Sequence, residues 1–276
     1  MDFLTGNNDL GTLGLGLLIA GAAAGLFSGM LGTGGGLILI PVLYHILGAL
    51  GVTEAVRLHL AAGTALLCLL PTTLANLSGQ AKAKAVDWTI LKRWSLPLGL
   101  GAIGGVGLAM VLPAALQVLI FGGAAIAVAL WTALGKDAWR LTSRPPRGAG
   151  GVLLPFGFAG LAALMGISGA SLFTPVLLLS GLQCARALGT ATGLAAIICS
   201  LAALAYAVAG WTVHSLPEFS YGFVNLMAFG VAAPVMYATS TVSARYAGAV
   251  EAKRPRATFA LFVILSAGKM IWDVLG

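Results

Sequence analysis

This chain has very few charged residues. Asp, Glu, Lys and Arg together make up 8% of its 276 residues, whereas hydrophobic residues make up 59%. A soluble domain carries about 25% charged residues on average, and it needs them to cover its surface. The composition therefore excludes a soluble protein and predicts an integral membrane protein.

Carboxylates are missing from the middle of every apolar run. All eight Asp and Glu residues fall near the ends of these runs or between them. A binding site for a cation, or a relay that moves protons, needs an acidic group inside the membrane. The distribution of acids therefore favours an anionic substrate.

The chain contains only three cysteines, Cys68, Cys184 and Cys199, which lie in or beside apolar segments. Their number is odd and their spacing is not that of metal ligands. We expect small apolar packing residues, and we predict neither a metal nor a cofactor.

The basic residues are concentrated in a few places. The formal net charge is +7, and twelve of the fifteen Lys and Arg fall in the segments 82–93, 136–147 and 245–256. This clustering is typical of cytoplasmic loops under the positive-inside rule. A nucleic-acid surface would need aromatic residues between the basic ones on a folded soluble face, so no nucleic-acid partner is predicted.

Apolar segments account for most of the chain. They fall roughly at 10–30, 36–50, 58–79, 95–112, 114–134, 152–166, 171–183, 187–210, 221–244 and 257–275. The longer ones approach the roughly 20 residues that a helix needs to span the hydrocarbon. The three short ones (36–50, 152–166 and 171–183) suit half-helices or re-entrant pieces. The sequence predicts one all-α, polytopic transmembrane domain over residues 1–276, with about eight to ten hydrophobic helices.

The segments divide into two halves. We predict a first repeat over about 10–134 and a second over about 152–275, joined by a basic cytoplasmic linker at 135–150. Each half holds five elements, an odd number, so the second copy is inverted relative to the first. If the N-terminus lies outside, all three basic segments lie inside, and both termini are extracytoplasmic.

A glycine-rich break interrupts an apolar run in each half, and a proline follows each break after five residues, at Pro41 and Pro175. Two broken segments at corresponding places in two repeats are the best sequence indication of a transporter's binding site. The alternative is that the small residues only allow close helix packing. The predicted substrate-binding residues at the breaks are Gly32, Thr33, Gly34, Gly35, Gly36, Gly166, Ser168, Gly169 and Ala170.

The helix that follows each break begins with unpaired N–H groups and a positive dipole end, which favours an anion. Thr64 and Thr190 occupy equivalent places in a repeated Ala-x-Gly-Thr-Ala motif. Their hydroxyls either face the breaks as further donors or bond to a preceding carbonyl of their own helix. Arg57 and Arg186 either attract the anion or extend to the interface.

The stretch Gly166-Ile-Ser168-Gly169 matches the GxSG pattern around the nucleophile of rhomboid-type intramembrane proteases. The equivalent position in the first repeat is Gly34, so the repeat does not preserve a nucleophile. We therefore predict that the protein is not an enzyme, with the intramembrane protease as one alternative and an anion channel as another.

The paired glycine motifs, the two Ala-x-Gly-Thr motifs and the basic segment ending Val86-Asp87-Trp88 together resemble the TauE/SafE family. The resemblance covers roughly residues 12–273. Ser168 and Ala170 depart from the first motif, and Ala65 and Ala191 stand where serine is more usual. The resemblance implies a multi-pass transporter of the bacterial inner membrane, which exports a small sulfur-containing anion such as sulfite or a sulfonate. Its implied partners are that anion and the lipid bilayer.

Overall fold

The chain is helical throughout most of the residues that the structure describes. The structure is a computed structural model, and it describes residues 7–31, 35–134, 146–213, 216–246 and 253–275. The helices are α1 (Asn7–Leu31), α2 (Gly36–Ala49), α3 (Glu54–Lys82), α4 (Trp88–Val111), α5 (Ala114–Leu134), α6 (Gly150–Met165), α7 (Ala170–Leu179), α8 (Cys184–Ala209), α9 (Leu226–Tyr246) and α10 (Lys253–Leu275). The predicted all-α fold is confirmed.

Six of the described helices are long and apolar enough to cross a membrane, namely α1, α3, α4, α5, α8 and α9. Helices α2, α6 and α7 are shorter, with 14, 16 and 10 residues. At about 1.5 Å per residue, none of these three reaches the roughly 30 Å of the hydrocarbon core. The structure therefore confirms a polytopic membrane protein that contains short helices beside full spans.

Helix α4 begins earlier than predicted. The apolar run starts at 95, but the helix starts at Trp88, so only residues 83–87 separate α3 from α4. The carboxylate of Asp87 caps α4 by accepting hydrogen bonds from the N–H groups of Thr89 (3.1 Å) and Ile90 (3.3 Å). Three of the four basic residues of the segment 82–93 lie in helix ends: Lys82 ends α3, and Lys92 and Arg93 lie in the first turns of α4. Their long side chains can reach water from there.

Helices α3 and α8 lie at the centre and run in opposite directions. They are the most buried of the six candidate spans. Gly63 of α3 lies beside Tyr206 of α8, whereas Leu77, later in α3, lies beside Gly193, earlier in α8. Both helices carry the Ala-x-Gly-Thr-Ala motif. The two helices that carry this motif are thus antiparallel.

The two halves are interlocked through close helix pairs. Helix α1 packs on α9 at Gly21, Gly25 and Gly29, where a Cβ atom would press against the backbone of α9. Helix α4 packs on α6 in the same way at Gly101 and Gly105. Glycine permits this because it lets two backbones approach closely. The first helix of each half therefore packs on the fourth helix of the other half.

Membrane-impermeant labelling tests the predicted orientation. Cys184 is exposed whereas Cys68 and Cys199 are buried, so a Cys184→Ser background suffices. We expect Lys82→Cys to react only after cells are permeabilised, because it ends α3 at a basic segment. Trp211→Cys, after α8, should react in intact cells. The opposite pattern would show that the orientation is reversed.

Candidate functional site at the junction of the helix breaks

The first and second breaks meet in the interior of the protein. A Cβ atom built on Gly36, the first residue of α2, would lie 3.2 Å from the Cα atom of Ile167 and 3.1 Å from Cδ1 of Leu69. Ile167 belongs to the second break and Leu69 to α3. The junction is therefore formed by two breaks from different halves against a central helix. Gly32, Thr33 and Gly34 lie outside the described residues.

The second break is a tight turn with two left-handed glycines. Gly166 ends α6 with a φ of 75°, and Gly169 precedes α7 with a φ of 79°. The N–H groups of Gly166 and Ile167 bond to carbonyls in the last turn of α6, which closes that helix. Positive φ favours glycine at both places. This turn positions Ser168 at the start of α7, fully buried.

The helix starts at the junction lack side-chain caps. Gly35 precedes α2 and Gly169 precedes α7, and neither helix start has a side-chain cap hydrogen bond. Ser168 and Ser171 are buried, and their Oγ atoms have no hydrogen-bond partner among the described residues. Unpaired N–H groups and a positive dipole end remain at such starts. The junction thus offers backbone and hydroxyl donors suited to an anion.

Gly35 and Ala170 have packing roles at this junction. A Cβ atom on Gly35 would overlap the backbone carbonyl of Ala24, so glycine is needed for the contact with α1. Ala170 is the counterpart of Gly36 in the second break and is buried at the start of α7. The small-residue packing that the sequence left as an alternative therefore operates at Gly35.

Thr64 and Thr190 hold the two halves together. The Thr190 Oγ accepts a hydrogen bond from the N–H of Asp87 (2.9 Å), and the Thr64 Oγ accepts one from the N–H of Asn225 (2.9 Å). Asp87 caps α4, and Asn225 caps α9 by accepting from the N–H of Ala228 (2.8 Å). Each hydroxyl therefore bonds to the start of a helix in the opposite half, in equivalent geometry.

The preceding glycines make these two bonds possible. A Cβ atom on Gly63 would overlap the carbonyl oxygen of Phe223, and one on Gly189 would overlap that of Ala85. The Gly-Thr pair therefore works as a unit, in which glycine admits the neighbouring backbone and threonine bonds to it. Neither Asn225 nor this contact follows from the motifs alone, although Val86-Asp87 and Val224-Asn225 are recognisably similar.

Arg57 and Arg186 have local partners. The guanidinium of Arg57 donates to the carbonyl of Val52 from Nε (3.1 Å) and Nη2 (2.9 Å), and its Cζ lies 5.2 Å from the centre of the Tyr44 ring. The Nη2 of Arg186 lies 3.4 Å from a carboxylate oxygen of Asp87. Arg57 thus contacts the connection between α2 and α3, and Arg186 contacts the residue before α4.

A cavity of about 380 Å³ opens between α1, α3, α8 and α9. Exposed residues at the ends of α3 and α9 form its mouth, at the side that carries the predicted cytoplasmic segments. The polar side chains that line it belong to Ser28, Asn76, Gln80, Thr192, Thr241 and Arg245. No carboxylate is among the described residues that line this cavity.

One face of α3 runs from the cavity toward the junction. Leu69, Thr72, Asn76 and Gln80 follow one another at helical spacing and share that face. Thr72 is fully buried, and its Oγ has no hydrogen-bond partner in the described parts of the chain. Asn76 lies seven residues from Leu69, which is about 10 Å along a helix. Thr72 is not among the residues predicted from the sequence, although its hydroxyl in the middle of an apolar run was the available signal.

The serine protease alternative requires a histidine bonded to Ser168, and no such pair is present among the described residues. The Nε2 of His59 lies 3.0 Å from the carbonyl oxygen of Ala109, and the Nδ1 of His45 lies 3.8 Å from a carboxylate oxygen of Asp273. Neither ring is bonded to Ser168. His214 lies outside the described residues.

Comparison with known proteins identifies the class of protein. A family model described as "Sulfite exporter TauE/SafE" matches residues 17–270, which is nearly the whole chain. The chain therefore belongs to the TauE/SafE family of membrane transporters. No solved structure matches this chain.

Two curated relatives agree with this assignment. A "Probable membrane transporter protein" from Haemophilus influenzae is 28% identical over 263 residues, covering 92% of this chain and 96% of the relative. A probable membrane transporter protein from Methanocaldococcus jannaschii is 23% identical over 234 residues, covering 81% and 82%. The similarity extends over nearly the full length of the Haemophilus protein.

Substitution of Gly36 tests the junction. We expect Gly36→Ala to fold, because its nearest neighbour is the flexible end of the Leu69 side chain, and to transport more slowly, because the methyl group separates the breaks. Gly107→Ala is the matched control, since nothing lies within 4 Å of a Cβ at Gly107. Flux per folded protein in proteoliposomes measures the effect. Equal flux in both variants would show that the junction tolerates widening.

Isosteric substitution of the two threonines tests the contact between halves. Thr64→Val and Thr190→Val each leave a backbone N–H without its acceptor, so we expect a destabilisation of about 1–3 kcal/mol. Thr64→Ser should retain most of the stability. Thr132→Val is the control, because the hydroxyl of Thr132 bonds to the carbonyl of Val128 in its own helix. Thermal unfolding in detergent is the measurement, and equal melting temperatures for all variants would contradict this role.

Proposed function

We propose that this protein is a secondary transporter that exports a small sulfur-containing oxyanion, such as sulfite or an organosulfonate, across the bacterial inner membrane. Transport proceeds by alternating access around the two glycine-rich breaks. Both termini lie outside, and the two halves are the inverted repeats over about 10–134 and 152–275. No covalent chemistry is part of the cycle.

The observation that carries this proposal is the buried contact between the uncapped start of α2 and the break that precedes the uncapped start of α7. Gly36 lies against Ile167, and the hydroxyls of Ser168 and Ser171 lie buried without partners in the described part of the chain. An oxyanion loses its water shell inside a protein, and donors must replace that water. Helix starts supply such donors together with a positive partial charge.

The chemistry of the cavity lining favours an anion over a cation on the way to this junction. It is lined by amide and hydroxyl groups and by the guanidinium of Arg245, and no carboxylate is among its described lining residues. A volume of about 380 Å³ lies in the lower part of the roughly 300–1,000 Å³ range of ligand pockets. Thr72 adds a buried hydroxyl without a described partner on the same face of α3, between Asn76 of the cavity and Leu69 of the junction.

Compact oxyanions are the substrate class that this arrangement fits. Several hydrogen-bond donors from two directions suit the three oxygens of a sulfite or sulfonate group. The open side of the cavity leaves space for a small organic tail. The charge of Arg245 at the exposed mouth favours anions over neutral solutes through an attraction that salt screens.

Reconstitution tests the function directly. Purified protein in proteoliposomes is offered sulfite, sulfate, thiosulfate, taurine and sulfoacetate, with and without a pH gradient. We expect saturable flux of at least one sulfite-like or sulfonate anion. Ionic currents far above carrier rates would favour the channel alternative, and peptide cleavage that is lost in Ser168→Ala would favour the protease alternative.

Side-chain variants locate the substrate contacts. Ser168→Ala and Ser171→Ala should each raise KM about tenfold, because each removes a hydrogen bond to a charged group worth about 1.5–3 kcal/mol. Ser200→Ala is the control, since Ser200 bonds within α8 to the carbonyl of Ala196. Arg245→Gln should raise KM more at low than at high ionic strength, whereas the exposed linker variant Arg147→Gln should not. An unchanged KM in both Ser168→Ala and Ser171→Ala would move the site away from the junction.

A further inference from the structure

Helices α3 and α8 carry different residues at one pair of corresponding positions, Gln80 and Tyr206. Gln80 follows Thr64 by 16 residues, and Tyr206 follows Thr190 by the same number, so the two residues correspond. Gln80 lines the open cavity together with Ser28, whereas Tyr206 is fully buried. One repeat therefore places a polar side chain beside open space, and the other places an aromatic ring in a closed interior.

Tyr206 fills the space that corresponds to the cavity. Its hydroxyl lies 3.2 Å from the carbonyl oxygen of Ala163 and 3.3 Å from that of Leu164. Both carbonyls belong to the last turn of α6, directly before the second break. In the register of the two breaks, Ala163 corresponds to Gly29, which lines the cavity. The tyrosine thus bridges α8 and α6 where Gln80 and Gly29 are separated by open space.

The contact is of a kind that can form and break repeatedly. A single hydroxyl proton is shared between two carbonyls, at distances longer than the roughly 2.7–2.8 Å usual for O–H···O bonds. The carbonyl of Ala163 also accepts a bond from the N–H of Gly166 (3.0 Å). Withdrawal of the tyrosine would therefore leave this carbonyl satisfied.

The surroundings of Tyr206 connect this contact to the rest of the closed side. A Cβ atom on Gly63 would lie 2.9 Å from the Tyr206 Cβ. The carbonyl of Tyr206 accepts a bond from the N–H of Phe223 (3.2 Å). The segment before α9, the first half of α3 and the end of α8 thus all contact the same residue.

We propose that Tyr206 is the gate of the substrate pathway on the side opposite the cavity. In this structure its ring and hydroxyl close the space between α8 and the end of α6, while the space between α3 and the end of α1 is open. In the opposite state Tyr206 withdraws, and the amide of Gln80 closes on the end of α1. This assignment rests on the proposed alternating-access transport.

Accessibility of a buried position on the closed side tests the gate without the need for a substrate. Ala202 of α8 is fully buried and corresponds to Asn76. In a Cys184→Ser background, Ala202→Cys is exposed to an impermeant maleimide from outside. Adding Tyr206→Phe, which keeps the ring and removes the hydroxyl, should raise the labelling rate about fivefold, as expected for loss of one weak hydrogen bond. Tyr237→Phe, at an exposed tyrosine of α9, should leave the rate unchanged.

The reciprocal variant keeps the proposal testable if Tyr206→Phe does not fold. Gln80→Leu removes the amide that closes the other side, so it should slow the labelling of Ala202→Cys from outside. An unchanged rate in Tyr206→Phe of normal melting temperature would overturn the gate, as would unchanged or faster labelling in Gln80→Leu. A labelling shift without transport of any tested anion would reject the proposed substrate class and retain the gate. Transport of a tested anion without a change in the labelling rate would retain the proposed substrate class and reject the gate.

Discussion

The antiparallel contact between α3 and α8 is the interaction on which the other features depend. On these two helices, Gly63 and Gly189 admit the backbone that precedes α9 and α4, and Thr64 and Thr190 bond to it. Hydrocarbon offers no water to an unpaired N–H group, so irregular backbone is tolerated only where protein satisfies it. The same pair of helices supports the breaks, because Gly36 packs against Leu69 of α3.

The two ends of the central helix pair α3 and α8 are chemically different. Asn76 and Gln80 stand on one side of the central pair, and their counterparts Ala202 and Tyr206 stand on the other. The polar side chains face an open cavity, whereas the apolar and aromatic ones are buried. In the proposed alternating-access cycle, such unequal contacts would give the two access states unequal free energies.

The sequence predicted the ten apolar segments well, because hydrophobicity and glycine breaks are local signals. The apolar pattern predicts a later start for α4 than the structure shows, because the charged Lys92 and Arg93 lie in the first turns of this helix. The sequence offered two interpretations of Thr64 and Thr190, toward the breaks or within their own helices. The structure shows a third, a bond to a helix start in the other half, because the partner backbone is distant in sequence.

The sequence by itself determined the membrane class, the helical fold, the positions of the breaks and the family, because each follows from composition or from motifs of a few residues. Only the tertiary structure decided which groups meet. The bonds to Thr64 and Thr190 join residues 161 and 103 positions apart, and the contact of Gly36 with Ile167 also crosses between halves. Such contacts depend on how whole helices pack, and no local pattern specifies which end of the bundle is open.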